Sequence, residues 1–497
     1  MRNGVFVAAT LWLTPVMAVG LTGAGLSHVP AIVIGLVLAA AIAWWASGPL
    51  TATLSPLLAG RRALTIAVVL VAAVAIVQIA RESVFMADST QPAYSVMPGD
   101  PWRVEHSCMS AYFEAARFAQ ASTENLYDST LYQPRHIGLL KVDSYHYPPP
   151  FLLLPQALRL VTTDFLQLRA LWFAIQTLVF AGAVAALAVW IGERIGAFAL
   201  LGGLFVLTTP TVLYSLQMGN FQTTAVALGA VALVLLVTQR IKTGAPILAY
   251  VALSKIFPGL LVVYLLLARR WRAVAWTAAF GVALIVLTVL VLGPQPFADF
   301  VHHELPAISD GRAFPQSERP NVAASNTSIY GLTVRLRFLG ASWLDQPMGL
   351  KVASVYGLIV LALAALAGWK GRIDLSTPTG RMLLVQTALA LMSLASFRSP
   401  FVGGPYGLVA SLWLLTLLAA ASRNRQSAVL WSLAFVACAV ANRLTPSPHS
   451  PPTTFWLAVS GGIFVFALAV NTWCVVRLIR SHPSGSAGTA ELEAART

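Results

Sequence analysis

Long apolar runs broken by short basic connections dominate the chain, and this pattern predicts membrane-spanning helices. Runs near 4–26, 29–47, 63–81, 168–191, 197–216, 220–238, 274–292, 351–369, 379–397, 405–421, 427–442 and 455–477 are continuously apolar. A helix needs about 20 apolar residues to cross the hydrocarbon core, so these runs predict about twelve spans. They lack the two-residue alternation of a membrane β-barrel. The expected fold is an all-α polytopic protein with one integral membrane domain over 1–497.

Two further apolar stretches do not fit as simple crossings. The stretch 147–166 follows three prolines and is interrupted by Arg159 and Asp164; 244–268 breaks at Ser254-Lys255-Ile-Phe-Pro258-Gly259. Irregular backbone at membrane depth is tolerated only where it is buried in protein or lines a wet cavity. Both stretches therefore read as re-entrant or broken helices beside a cavity.

Polar residues concentrate between 81 and 150. Asp88, Asp100, Glu105, His106, Glu114, Glu124, Asp128, His136, Asp143 and His146 all lie there, in a chain whose charged residues make up only 10% of the whole. Within this loop Met109, Tyr112, Phe113 and Ala116 recur at helical spacing, which predicts a surface helix over 106–120 with its apolar face toward the membrane.

Charge sets the expected orientation. Arg61-Arg62, Arg194, Arg240 with Lys242, Arg269-Arg270 with Arg272, Lys370 with Arg372, Arg423 with Arg425, and Arg477 with Arg480 fall on one side if the N-terminus is cytoplasmic. The loops 82–146 and 293–350 then face outward, and 482–497 reads as a disordered cytoplasmic tail. The net charge of +14 is explained by these short loops, so nucleic acid is not an expected partner. The partner expected from composition is the bilayer, with both termini cytoplasmic. The three cysteines show no disulfide framework: Cys438 and Cys474 lie in apolar runs, and Cys108 is alone in the polar loop.

Four stretches, in order, resemble glycosyltransferase family 87, the polyprenol-phosphate-mannose-dependent members of the type C membrane glycosyltransferases. They are Ala111-Tyr-Phe-Glu-Ala-Ala-Arg117 with Asn125-Leu-Tyr-Asp128; Tyr147-Pro-Pro-Pro-Phe-Leu-Leu-Leu-Pro155; Gln217-Met-Gly-Asn-Phe-Gln222; and Lys255-Ile-Phe-Pro-Gly259 leading to Ala268-Arg-Arg-Trp-Arg272. The resemblance covers roughly the first 300 residues. It implies inverting transfer of a hexose, mannose by analogy, from a polyprenyl-phosphate sugar to a glycolipid or glycan acceptor at the outer face, with no cofactor. It also implies a catalytic Asp just before the Tyr112 helix. That place falls near Cys108, where no Asp stands, so Glu105, Asp100 and Asp88 are the expected bases.

Other residues suit the remaining tasks. Lys255, at a helix break in an apolar stretch, would hold the donor phosphate, with Arg398 and Arg443 at outer helix ends as further cations. His106, Tyr145, His146, Tyr147, Gln217, Asn220, Gln222, His302 and His303 are expected to contact substrate. No Asp-x-Asp cluster appears, so no metal requirement is expected. The alternative is a transporter or lipid-glycan flippase, which predicts polar residues through the full membrane depth and inverted repeats.

Overall fold

The computed structural model describes residues 1–121, 125–444 and 453–480; the expected tail 482–497 lies outside them. Every stretch expected to span is helical. Among the described residues seven helices are long and apolar enough to cross a membrane: Arg2–Gly23, His28–Leu58, Arg62–Ala87, Phe165–Ile191, Trp271–Leu292, Gln346–Lys370 and Thr454–Arg480. An eighth crossing arises if Glu193–Leu207 and Pro210–Gln217, bent by 61° at their junction, count as one. Pro210 fits that bend, because it cannot donate the backbone bond that would continue the first helix.

The expected twelve spans exceed this number for a physical reason. Gln222–Val237 has 16 residues and Val409–Ala420 has 12, each too short for a bilayer by itself. Pro378–Ser396 and Arg425–Leu444 are diluted by polar side chains such as Arg381, Gln386, Ser427 and Asn442. Gln222–Val237, Pro378–Ser396 and Val409–Ala420 are nearly all buried and form the centre of the molecule. Long helices with apolar residues facing out, such as Val69, Leu70, Val74, Val282, Leu290 and Leu358, surround them. Only 11% of the most apolar window is buried in Arg62–Ala87 and in Trp271–Leu292. A soluble protein rarely exposes apolar surface on that scale; in a membrane protein the lipid covers it.

The two irregular stretches are short and broken. The first is a 3₁₀ turn, Pro149–Leu152, and a seven-residue helix, Leu153–Arg159. The second is the helix Ile241–Lys255, a 3₁₀ turn Phe257–Gly259, and the helix Leu260–Leu267.

The expected surface helix exists as Cys108–Ala121, but its apolar face rests on protein. Tyr112 packs against Tyr147, Phe151 and Trp172, Phe113 meets Phe165, and the Ala116 carbonyl accepts bonds from Gln156 and Arg159. The periodicity correctly marks an apolar face without specifying what covers it. The all-α expectation is corrected in one place: a small three-stranded sheet sits in this loop. Its strands are β1 (His106–Ser107), β2 (His136–Ile137) and β3 (Leu140–Val142), in the order β1-β3-β2. They are too short for a two-residue pattern to announce them.

A buried arginine ties the membrane helices together. Arg169 is 2% exposed, donates to the Phe85 carbonyl at 3.0 Å and lies over the Phe85 ring at 4.6 Å, within electrostatic reach of Glu82, which is 1% exposed. Arg169→Met removes the donor to that carbonyl and is expected to destabilise the protein by about 1–3 kcal/mol. Thermal unfolding in detergent measures it. Equal unfolding temperatures for the variant and the wild type would show that Arg169 contributes nothing.

Candidate active site

The site is assembled where the polar loop, the Gln217–Gln222 turn and the Lys255 helix break converge. Parallel pairing of β1 with β3 places His106 opposite Lys141 and Ser107 opposite Val142. Ser110 secures this register: its hydroxyl donates to the carbonyls of Ser107 (2.6 Å) and Lys141 (3.1 Å) and accepts from the Asp143 amide (3.0 Å). Asp143, the first residue after β3, is thereby held beside His106. Its Oδ1 lies 3.3 Å from His106 Nδ1, and the imidazole stacks on Trp102 at 4.5 Å.

Cys108 completes a row. Its Sγ is 3.8 Å from His106 Nε2 and accepts from Asn220 Nδ2 at 3.4 Å. Partial burial disfavours a charged His106 ring, but the Asp143 carboxylate, by charge and hydrogen bond, and the Cys108 sulfur outweigh it. The imidazole is pushed up to about 10 from the ordinary 6.5. His106 is therefore an imidazolium at neutral pH. A folded-state value above the unfolded one means stabilisation that is complete below about 6.5 and lost as pH rises through about 10. Wild type should accordingly unfold at a higher temperature than His106→Gln at neutral pH, with the gap closing toward pH 10. A gap that stays constant over that range would contradict the charged pair.

Lys255 lies within electrostatic reach of the Cys108 sulfur. Its Nζ lies 4.3 Å from the centroid of the Tyr147 ring and 5.7 Å from that of Tyr406. Asp143 is within electrostatic reach of the same two tyrosines. A carboxylate and an amine thus both reach one tyrosine pair. Tyr147 is fixed by Tyr112, whose hydroxyl donates to it at 2.7 Å, and by Tyr127, which donates to its carbonyl at 2.9 Å. The prolines after Tyr147 keep this segment extended until the 3₁₀ turn begins.

Backbone strain presents Lys255. The helix ends there because Ile256 takes φ +54°, ψ −50°, a conformation costly for a β-branched residue. Strain of this kind costs on the order of 1–3 kcal/mol and persists where surrounding structure imposes it, often at functional sites. Pro258 fits the same break, since it disfavours a helical Phe257.

The Gln217–Gln222 turn acts mainly as a clamp. Gln217 accepts from the Val96 amide at 2.8 Å and donates to the Arg103 carbonyl at 3.1 Å, joining this turn to the polar loop. Gly219 has φ +72°, and a Cβ there would lie 3.1 Å from the Met109 Cβ and 3.2 Å from Trp172. Only glycine combines that backbone with such close approach. The turn thereby delivers Asn220 to Cys108.

Of the expected site residues, the structure gathers His106, Tyr147, Asn220 and Lys255 around Cys108. Gln222 is buried behind Asn220, to whose Oδ1 its amide donates at 2.9 Å. Tyr145 is buried and donates to the Pro148 carbonyl at 3.2 Å. His146 pairs with Glu304 at 2.8 Å, in the second long loop, while His302 and His303 in that loop are exposed. Arg398 is exposed and lies along the helix Gln346–Lys370 at Gly357. The side chain of Arg443 lies outside the described residues.

The three expected bases are occupied in building the loop. Glu105 pairs with Lys141 at 2.6 Å. Asp100 caps a short helix and pairs with Arg103 at 3.0 Å. Asp88 accepts from the Thr90 hydroxyl and amide, which hold its carboxyl below the usual range. Sequence reasoning missed Asp143 and Tyr406. Asp143 opens the stretch that leads into Tyr147-Pro-Pro-Pro150, and that adjacency is the one signal that could have singled it out.

His106, Cys108 and Asp143 present ligand atoms within 4.8 Å of one another, a spacing compatible with a metal ion. In this arrangement, however, the two ring nitrogens face different partners: Nδ1 faces Asp143 and Nε2 faces Cys108.

A family model described as glycosyltransferase family 87 matches residues 145–396, about half of the chain. The chain belongs to glycosyltransferase family 87. No curated protein matches it. The family 87 match reaches well past residue 300, further than the four motifs suggest, and omits the stretch Ala111–Asp128. It includes Tyr147, Asn220 and Lys255 and begins two residues after Asp143. Asp143, His106 and Cys108 are therefore implicated by geometry rather than by the match.

Proposed function

We propose that this family 87 protein transfers a hexose, mannose by family analogy, from a polyprenyl-phosphate sugar to a hydroxyl of a glycolipid or glycan acceptor. That Asp143 and Lys255 both lie within reach of one tyrosine pair carries this reading. In the proposed step the acceptor oxygen attacks the anomeric carbon on the face opposite the phosphate, giving inversion. Asp143 takes the hydroxyl proton as the new C–O bond forms. The bond between the anomeric carbon and the phosphate oxygen breaks, and the phosphate leaves with the electron pair against Lys255.

In this reading Asp143 takes the role expected of Glu105, Asp100 and Asp88, because it reaches the same tyrosines as Lys255. Asn220 and Tyr406 are placed to orient the sugar. A donor with a single phosphate is served by the Lys255 side chain, so the reading needs no metal and no cofactor. In this reading the long loops face outward, the basic connections and both termini are cytoplasmic, and the membrane is the plasma membrane.

The test is purified protein with polyprenyl-phosphate hexoses and lipid acceptors, following anomeric configuration by NMR. Transfer with inversion supports the reading. No transfer across a broad donor panel, with activity from nucleotide sugars instead, would overturn the donor assignment.

A further inference from the structure

A second cavity lies away from the Lys255 site, at the corner where the helix Leu260–Leu267 turns into Trp271–Leu292 and meets the end of Gln346–Lys370. It has a volume of about 320 Å³. Tyr264, Leu267 and Leu384 form its apolar floor, and Arg269, Arg270 and Arg372 surround it; among the described residues no Asp or Glu lines it. The nearby Asp374 directs its carboxylate to the amide and hydroxyl of Ser376, at 3.0 and 2.6 Å.

Arginines near helix C-termini complement the helix dipole, which accounts for their sign but not for a space kept open between them. Nor is the cavity a symptom of loose packing. A Cβ at Gly368 would lie 2.3 Å from the Tyr264 carbonyl oxygen, so the two helices touch at the edge of the cavity. Arg269 is held at φ +57°, a left-handed conformation uncommon for arginine. Trp369, which lines the cavity, and Trp271 beside it are 58% and 60% exposed. Exposed tryptophans next to arginines mark headgroup depth in a bilayer.

We propose that this cavity binds the phosphodiester of an anionic glycerophospholipid. Guanidinium forks suit phosphate oxygens, the apolar floor suits the glycerol backbone, and basic pockets between membrane helices are suited to such headgroups. The volume accommodates one headgroup, with the acyl chains left outside along exposed residues such as Leu266.

The experiment is native mass spectrometry of the full chain released from nanodiscs containing phosphatidylcholine and phosphatidylglycerol. Wild type should retain phosphatidylglycerol, and Arg269→Gln/Arg270→Gln/Arg372→Gln should retain at least about tenfold less, since each juxtamembrane cation contributes on the order of 1 kcal/mol. Arg61→Gln/Arg62→Gln, with basic residues of another connection removed, should behave as wild type. Leu375→Trp narrows the cavity without changing charge and should also lower retention, which keeps the test valid if the triple variant fails to fold. Equal losses in the Arg61/Arg62 variant would assign the effect to diffuse charge and overturn the proposal. So would full retention in Leu375→Trp. If inorganic phosphate displaced the lipid and raised the unfolding temperature as much, the cavity would be a free-anion site instead.

Discussion

Asp143→Asn is expected to lower kcat for sugar transfer by about 10²- to 10⁴-fold, the range general-base removal typically costs. The substitution keeps the shape of the side chain and its amide bond to Ser110, so the loop should stay folded. What it removes is the ability to accept a proton from the acceptor hydroxyl, together with the charge that pairs with His106. Two further readouts separate this role from a structural one. The acid limb of the kcat/KM profile should vanish in the variant, because that limb reports protonation of the base. Glu105→Gln, Asp100→Asn and Asp88→Asn should stay within a few-fold of wild type, since their carboxylates already serve Lys141, Arg103 and Thr90. If Asp143→Asn transfers at the wild-type rate while one of those three is dead, the base is that residue and the geometric argument fails.

Lys255→Ala is expected to cost about 10²- to 10³-fold in kcat, comparable to loss of one preorganised group that stabilises developing charge. The reasoning rests on position. Lys255 is the last residue of a helix ended by a strained Ile256, and its ammonium faces the Tyr147 ring at 4.3 Å. A cation so placed contributes most when charge builds on the leaving phosphate, so kcat should fall more than KM for the donor rises. Lys255→Arg keeps the charge but must fit a planar fork between two tyrosine rings, so it should recover only part of the loss. A donor whose leaving group carries less negative charge should be affected less. If KM for the acceptor alone changes, Lys255 binds the acceptor and the phosphate assignment is wrong.

Sequence and structure agree where the physics is local. Twelve apolar runs become helices because a continuous apolar stretch in a membrane must satisfy its own backbone. The breaks at Pro148–Pro150 and at Ile256–Pro258 follow from proline, which removes a donor and disfavours helix in the residue before it. Lys255 was conspicuous because a charge in an apolar stretch is expensive and therefore rarely idle.

What the sequence by itself determined, then, is a helical membrane protein with a polar loop and a conspicuous lysine. Tertiary structure alone decided how many helices are shielded by protein rather than lipid, because burial of a short helix such as Val409–Ala420 depends on its neighbours and not on its own composition. It also decided which carboxylate matters. His106 and Asp143 are far apart along the chain, and only the pairing of two very short strands, fixed by Ser110, puts them 3.3 Å apart beside Cys108. Such strands carry too few residues for a periodic signal, and proximity across a loop is a property of the fold rather than of any local stretch.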